Sequence, residues 1–340
     1  MGNKIASQDL SKPGGKRSGL FLPRTAPVLG LCFLAPLVGE YLLGNISIQD
    51  IWALPFLAPM YGGGALLIRE TTRRTGRGWP TIIFLGLAYG LIEAGLIDQS
   101  LFNPSFEGHD FQSAAYIPVL GISAYNGLAF LAGHAVWSIG VPIALVETLV
   151  PGRSTRPWLG KAGLLITGGL YLLGSVFLFR NIQEEEQFLA SAPQLIGAAV
   201  VALVLIGIAF ALGRRPHPKT GGRTPHSWQV GILSFVISSL FFAASESWMG
   251  VAIKLFLLAV ITALITRWSR RQGWGPAHRL ALAGGALLTY AWGGFILTML
   301  LGRTEIIHFI GNGIFASGAV VLLIIAARRI CHIQSENMEL

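Results

Sequence analysis

Long apolar runs separated by short clusters of arginine are the feature that most constrains this chain. A helix needs about 20 mainly apolar residues to cross the hydrocarbon core of a bilayer. Ten runs of about that length can be read along the sequence, at 26–44, 51–69, 80–97, 126–147, 160–179, 194–213, 228–246, 248–267, 280–301 and 306–327. The pattern predicts an all-α polytopic membrane protein with about ten transmembrane helices.

The composition excludes several classes of soluble protein. Hydrophobic residues make up 53% of the chain and charged residues only 12%, whereas soluble domains carry about 25% charged residues. The net charge of +9 comes from clusters between the apolar runs, which is typical of a membrane topology rather than of a nucleic-acid-binding surface. We therefore exclude a soluble enzyme, a disordered protein and a nucleic acid partner, and expect the lipid bilayer as the surroundings.

The charges alternate from one connection to the next. Arginine and lysine are concentrated in the N-terminal segment, in four alternate loops and after the last span, and these residues include Arg24, Arg69, Arg73, Arg74, Arg77, Arg153, Arg156, Lys161, Arg214, Arg215, Lys219, Arg223, Arg267, Arg270, Arg271, Arg279, Arg328 and Arg329. The opposite loops are mainly acidic. Because cytoplasmic loops carry the excess of Lys and Arg, both termini are predicted to be cytoplasmic in a plasma-membrane protein.

This topology gives a simple domain organisation. We expect a basic cytoplasmic tail over residues 1–25, a ten-helix membrane domain over 26–327 and a cytoplasmic C-terminal tail over 328–340. The longest outer loop, 98–125, is interpreted either as an ordinary connection with interfacial aromatic residues or as a lid over the outer surface. Gly62-Gly63-Gly64 in the second span predicts an unwound or closely packed segment.

Ionisable side chains within the apolar runs are the candidate functional residues. Each costs roughly 2.5–3.5 kcal/mol to place at the centre of a membrane helix. The interior set is Glu40, Glu93, His134, Lys254 and His308, with Asn126 and Asn312 as neutral companions. At about 1.5 Å per residue, they all lie in the outer third of the membrane. We expect one buried polar pocket near the outer face.

Two roles are open for Glu40 and Lys254. They could form a buried ion pair that locks two helices together, or they could bind substrate or relay protons. Glu93 is flanked by Gly90 and Gly95, which permit close helix approach. A desolvated carboxylate in such a place suits a general base.

At these positions the chain resembles the CPBP family of intramembrane proteases, the CAAX-processing and Abi type. Phe130-Leu-Ala-Gly-His134 and His308-Phe-Ile-Gly-Asn312 match that family's Phe-x-x-x-His and His-x-x-x-Asn motifs, in the family's order after Glu93. Ala94 and Ile97 stand where the family has a second Glu and an Arg. The resemblance implies that Glu93 activates water, that His134 assists it, and that His308 and Asn312 polarise the scissile carbonyl.

The sequence leaves three function classes open. They are an intramembrane hydrolase or protease, an ion- or proton-coupled transporter, and a non-catalytic membrane protein. The substrate class is equally open among peptides, lipid-linked molecules and small solutes, and the sequence does not identify a cofactor. The absence of a His-x-x-x-His or His-Glu-x-x-His pair predicts no metal site.

Overall fold

Ten apolar helical segments make up most of the part of the chain that the structure describes. The computed structural model describes residues 24–212 and 219–336, so Arg214, Arg215 and most of the basic N-terminal tail lie outside the described residues. Eight described helices are long and apolar enough to cross a membrane, and two shorter apolar helices, Ala26–Tyr41 and Ser227–Phe242, bring the number to ten. The predicted all-α polytopic fold is confirmed. Ten crossings place both ends of the described chain on the same side.

Every predicted run overlaps a helix. The helices are α1 (Ala26–Pro36), α2 (Leu54–Arg74), α3 (Trp79–Ile92), α4 (Ala124–Gly133), α5 (Val141–Leu149), α6 (Lys161–Glu186), α7 (Ala192–Ala211), α8 (Ser227–Phe242), α9 (Trp248–Ser269), α10 (Pro276–Leu300) and α11 (Ile306–Glu336). We call the side of the arginine-rich loops the inner side and the opposite side the outer side.

Three π-helical turns extend or join these helices. They are π1 (Leu37–Tyr41) after α1, π2 (Glu93–Ile97) after α3, and π3 (His134–Gly140) between α4 and α5. Proline explains the position of π3, because Pro142 has no N–H to donate and its ring crowds the carbonyl of Ser138. Such turns occur mostly as single interruptions of α-helices, frequently at functional sites.

The helices divide into a central and a peripheral set. In α3 with π2, and in the span from α4 to α5, 67% of the most apolar window is buried, compared with 11% in α6 and 22% in α9 and α11. The two largest clusters of buried apolar residues lie mainly among α1, α2, α3, π3, α5 and α10, with contributions from α7 and α11. Since polar side chains are most easily sheltered from lipid in the central set, a functional site is expected there.

The triple glycine of α2 is closely packed rather than unwound. The α2 helix is continuous through Gly62, and a Cβ there would collide with the carbonyl oxygen of Cys32 on α1. Pro36 lies four residues after Cys32 and has no N–H with which to bond that carbonyl. Glycine therefore allows α1 and α2 to approach closely just below π1.

The outer loop between α3 and α4 is fixed to the helices below it. It contains a short antiparallel hairpin, β1 (Tyr116–Ile117) with β2 (Ile122–Ser123). The amide of Asn126 on α4 donates to the Phe111 carbonyl at 2.8 Å, and Asn103 donates to Glu186 on α6, also at 2.8 Å. The loop therefore covers the outer ends of α4 and α6.

Candidate functional site

Glu93 and His134 meet between α3 and α4 inside the membrane domain. His134 Nε2 lies 2.8 Å from Glu93 Oε2, off the ideal hydrogen-bonding direction. The other carboxylate oxygen, Oε1, accepts a hydrogen bond of 2.9 Å from the hydroxyl of Tyr61 on α2. Glu93 is 4% exposed, so both oxygens face protein groups. Three helices thus contribute to one buried polar contact.

The hydrogen bond of His134 Nδ1 determines which ring nitrogen can exchange a proton with Glu93. Nδ1 lies 2.7 Å from the carbonyl oxygen of Phe130. A carbonyl can only accept, so Nδ1 carries hydrogen. Nε2 is then the exchangeable position: it accepts a proton from a neutral Glu93 carboxyl, or it donates as an imidazolium to the carboxylate. Either way, one proton is shared between the two side chains.

Glu40 is the second carboxylate of this group. It lies on π1, is 7% exposed, and interacts electrostatically with Glu93 and His134 as well as with the Tyr61 hydroxyl. Its Oε2 accepts a hydrogen bond of 2.7 Å from the Asn45 side chain in the outer loop after π1. We refer to Glu40, Tyr61, Glu93 and His134 as the Glu/His cluster.

The two glutamates and the histidine of the Glu/His cluster each lie on a π-helical turn. Glu93 and His134 are the first residues of π2 and π3, and Glu40 lies within π1. Close packing at Gly90 brings Glu93 and His134 together. A Cβ added to Gly90 would lie only 2.9 Å from the Cβ of His134, so only glycine allows this approach. A larger residue at position 90 would push the imidazole away from α3.

The Glu/His cluster brings like charges close together. Two buried carboxylates lie near one imidazole, and of the two only Glu93 lies within 4.0 Å of it. Like charges repel strongly in a region of low dielectric, and an unbalanced charge buried in the membrane domain is costly. Among the described residues, no group of three or more His, Cys, Asp or Glu side chains is placed to share a metal ion.

Lys254 lies elsewhere and does not pair with Glu40. Its ammonium sits over the rings of Tyr125 on α4, at 3.6 Å from the centroid, and Phe241 on α8, at 4.8 Å. The suggested Glu40–Lys254 ion pair is therefore wrong. The two residues lie at similar depths but have different neighbours, Tyr125 and Phe241 for Lys254 and Asn45 for Glu40.

His308 and Asn312 are also occupied elsewhere. His308 Nδ1 lies 2.7 Å from the hydroxyl of Ser47 in the outer loop after π1. The Asn312 amide donates to Gly294 and to Thr298, at 3.2 and 2.8 Å, and so fastens α11 to α10. The expected meeting of these two residues with Glu93 and His134 is not found, because α11 packs on α10 rather than on α3.

A buried ion network on the inner side has a structural role that the sequence reasoning missed. Arg69 and Glu70 lie near the inner end of α2, yet both are 0% exposed. Arg69 contacts Glu70 at 2.7 Å and Glu147 at 3.1 Å, and Arg73 contacts Glu147 at 2.7 Å. Arg69 also donates to three carbonyls of the loop after α5, those of Arg153, Ser154 and Arg156.

This network joins α2 to α5 and to that inner loop. The Arg69 guanidinium lies 3.3 Å from the ring centroid of Trp158, and Glu70 accepts from the backbone N–H groups of Trp158 and Leu159. The spacing of Arg69 and Arg73, one helical turn apart on α2, is the sequence pattern that could have indicated it. Tyr61 was missed because a tyrosine in an apolar run has no charge to mark it.

Comparison with known proteins gives the family of this chain. Residues 29–328 match an uncharacterized membrane protein family. The chain belongs to this family. No curated protein and no solved structure matches it.

Family membership overturns the resemblance to the CPBP proteases. The match covers the membrane domain and assigns it to a different family, and His308 and Asn312 lie apart from Glu93. The two short motifs match by spacing alone, which is common in apolar helices. The catalytic roles that the resemblance implied for Glu93, His134, His308 and Asn312 therefore lose their basis.

Proposed function

We propose that this protein is a proton-coupled carrier for a small solute and that the Glu/His cluster binds the coupling proton. The observation that carries the proposal is the 2.8 Å contact between His134 and Glu93, with a second buried carboxylate, Glu40, in electrostatic contact. Intramembrane Asp, Glu and His side chains in contact with one another are typical of proton relays in pumps and transporters.

The hydrogen bonds supply a route for the proton from the outer side. Asn45 in the outer loop donates to Glu40, the Tyr61 hydroxyl donates to Glu93, and Tyr61 and Glu40 also interact electrostatically. A hydroxyl both donates and accepts, so Tyr61 can pass a proton between the two carboxyl groups. Glu93 then exchanges it with Nε2 of His134. A carrier driven in this way requires a proton gradient, which favours the plasma membrane as its location.

The π-helical turns provide the mechanical part of the proposal. A π turn holds one more residue than the equivalent α turn, and adding or removing a residue rotates the following chain by about 100°. Closing π2 or π3 would therefore separate Glu93 from His134. Protonation changes the attraction between Glu93 and His134. It therefore shifts the equilibrium between the helix that contains the π-helical turn and the helix in which that turn is closed.

Infrared difference spectroscopy of the purified chain in lipid, stepped between acid and neutral pH, tests the proton site. The carboxyl C=O band of a protonated glutamic acid is resolved from that of a carboxylate. We expect a band in the native protein that is lost or shifted in Glu93→Gln and in Glu40→Gln. Glu185→Gln is the matched control, because Glu185 is exposed at the outer end of α6.

Coupling to transport is tested on the same variants. Proteoliposomes on a solid-supported membrane report charge movement when small solutes are applied under a pH gradient. A solute that evokes a current in the native protein and in Glu185→Gln, but not in Glu93→Gln, supports the proposal. A pH-dependent carboxyl band that persists unchanged in both cluster variants would show that protons bind elsewhere and would refute it.

A further inference from the structure

A buried lysine without a counter-ion lies at the outer side, apart from the Glu/His cluster. Lys254 on α9 is 2% exposed. Within residues 24–212 and 219–336, no carboxylate lies within 4.0 Å of its ammonium group. Lys254 does interact electrostatically with Glu246, an exposed residue before α9, but the two side chains are more than 4.0 Å apart.

Aromatic rings hold the ammonium but do not neutralise it. Tyr125 and Phe241 lie 3.6 and 4.8 Å from Nζ, and such cation–π contacts attract the charge by way of the ring quadrupole. A ring carries no net charge, however, and a buried ion without an opposite charge is costly. The positive charge of the Lys254 ammonium is therefore not balanced by a negative charge at this site.

The depth of the ammonium matches the lipid headgroup region. Lys254 lies about 9 Å below the outer end of α9 at 1.5 Å per residue, but its long side chain reaches towards that end. Tyr125 is the second residue of α4, and Phe241 is the last but one of α8. The charge therefore lies among the outer ends of α4, α8 and α9, close to the outer boundary of the membrane domain.

We propose that Lys254 binds a phosphate group between the outer ends of α4, α8 and α9. Lysine presents a compact point charge with three donors and is a common phosphate ligand, and arginine also binds phosphate, through its planar fork. The phosphate belongs either to an outer-leaflet lipid or to a free phosphate-bearing solute. The site does not depend on the proposed proton site, because it lies on different side chains and its test measures binding rather than transport.

The test uses the purified full chain in a maltoside detergent, which itself contains no phosphate. Inorganic phosphate is titrated by calorimetry, and phosphatidylglycerol binding is followed by native mass spectrometry. We expect Lys254→Met to weaken binding of at least one probe by about tenfold or more, and Lys254→Arg to retain it. The matched control is Lys161→Met, which removes an exposed lysine at the inner end of α6. Glu246→Gln is expected to strengthen binding, because it removes a competing negative charge.

The outcomes separate the two sources of phosphate. Lys254-dependent binding of inorganic phosphate supports a soluble ligand, and Lys254-dependent retention of phosphatidylglycerol without phosphate binding supports a lipid. Circular dichroism and gel filtration establish that Lys254→Met is folded, as expected when a buried charge is replaced by an apolar side chain. If a folded Lys254→Met protein binds both probes as the native chain does, or if the native chain binds neither, the proposal is wrong.

Discussion

His134 Nε2 lies 2.8 Å from Glu93 Oε2, and each residue is the first of a π-helical turn. The contact therefore joins two places at which the α-helical register is already broken. In the proposed mechanism, a change in the charge of either side chain biases the register of α3 and α4. This relationship is the reason for interpreting the Glu/His cluster as a coupling element rather than as an inert helix lock.

Tyr61→Phe tests the connection between the two carboxyl groups. The change removes the 2.9 Å hydrogen bond to Glu93 and keeps the ring, at a cost of about 1.5–3 kcal/mol for a bond to a charged group. We expect proton exchange between Glu40 and Glu93 to slow, measured as a slower rise of the carboxyl band after a pH jump. Tyr116→Phe in the exposed outer loop is the control, and equal rates in both variants would show that Tyr61 carries no proton.

Gly90→Ala tests whether close packing positions His134. The added methyl would lie 2.9 Å from the His134 Cβ, and overpacking of this kind typically costs about 1–3 kcal/mol. We expect a lower free energy of unfolding in denaturant titrations of the detergent-solubilised protein. We also expect the loss of the pH-dependent carboxyl band in the infrared difference spectrum. Gly168→Ala has no atom within 4 Å to meet and should be neutral or slightly stabilising. A neutral Gly90→Ala variant would mean that α3 and π3 can separate without consequence.

Arg69→Lys tests the inner ion network. Lysine keeps the charge but loses the planar fork that reaches Glu70, Glu147 and the loop carbonyls together. Leaving buried hydrogen-bond acceptors unsatisfied should destabilise the protein by about 1–3 kcal/mol, measured by unfolding in detergent. Arg267→Lys, an exposed position at the inner end of α9, should change stability by less than about 0.5 kcal/mol. Similar losses in the two variants would contradict a special role for Arg69.

The orientation is tested with a membrane-impermeant maleimide. Cys331 is exposed near the inner end of α11, and Cys32 lies within α1. In sealed right-side-out vesicles we expect no labelling of Cys331 until the membrane is permeabilised. Asp110→Cys, in a Cys331→Ser chain, should be labelled from outside. The reverse pattern would invert the predicted topology.

The sequence predicted the membrane fold because hydropathy alone determines which segments leave water. Every predicted span overlaps a helix, even the short α8, although α6 and α11 extend well beyond the predicted ends of their spans. The interior position of Glu40, Glu93 and His134 followed from the same reasoning, since an ionisable residue in an apolar run is costly wherever its helix packs. The structure adds that these three residues lie together.

Other parts of the site required the tertiary structure. Tyr61 became visible only through its hydrogen bond to Glu93, and the inner network only through the burial of Arg69. His308, Asn312 and Lys254 matched the Glu/His cluster in depth but contact different helices. Two short motifs with the correct order consequently suggested a family to which the chain does not belong.

One physical cause explains why the sequence predicts the spans but not the contacts between them. An apolar run fixes the position of each residue along the membrane normal, because the rise per residue of a helix is constant. It does not fix the rotation of the helix or the identity of its neighbours, which depend on how small and large side chains pack between helices. The sequence by itself therefore determined the spans and the depth of each polar group, and the packing of glycine-rich faces decided which of these groups meet.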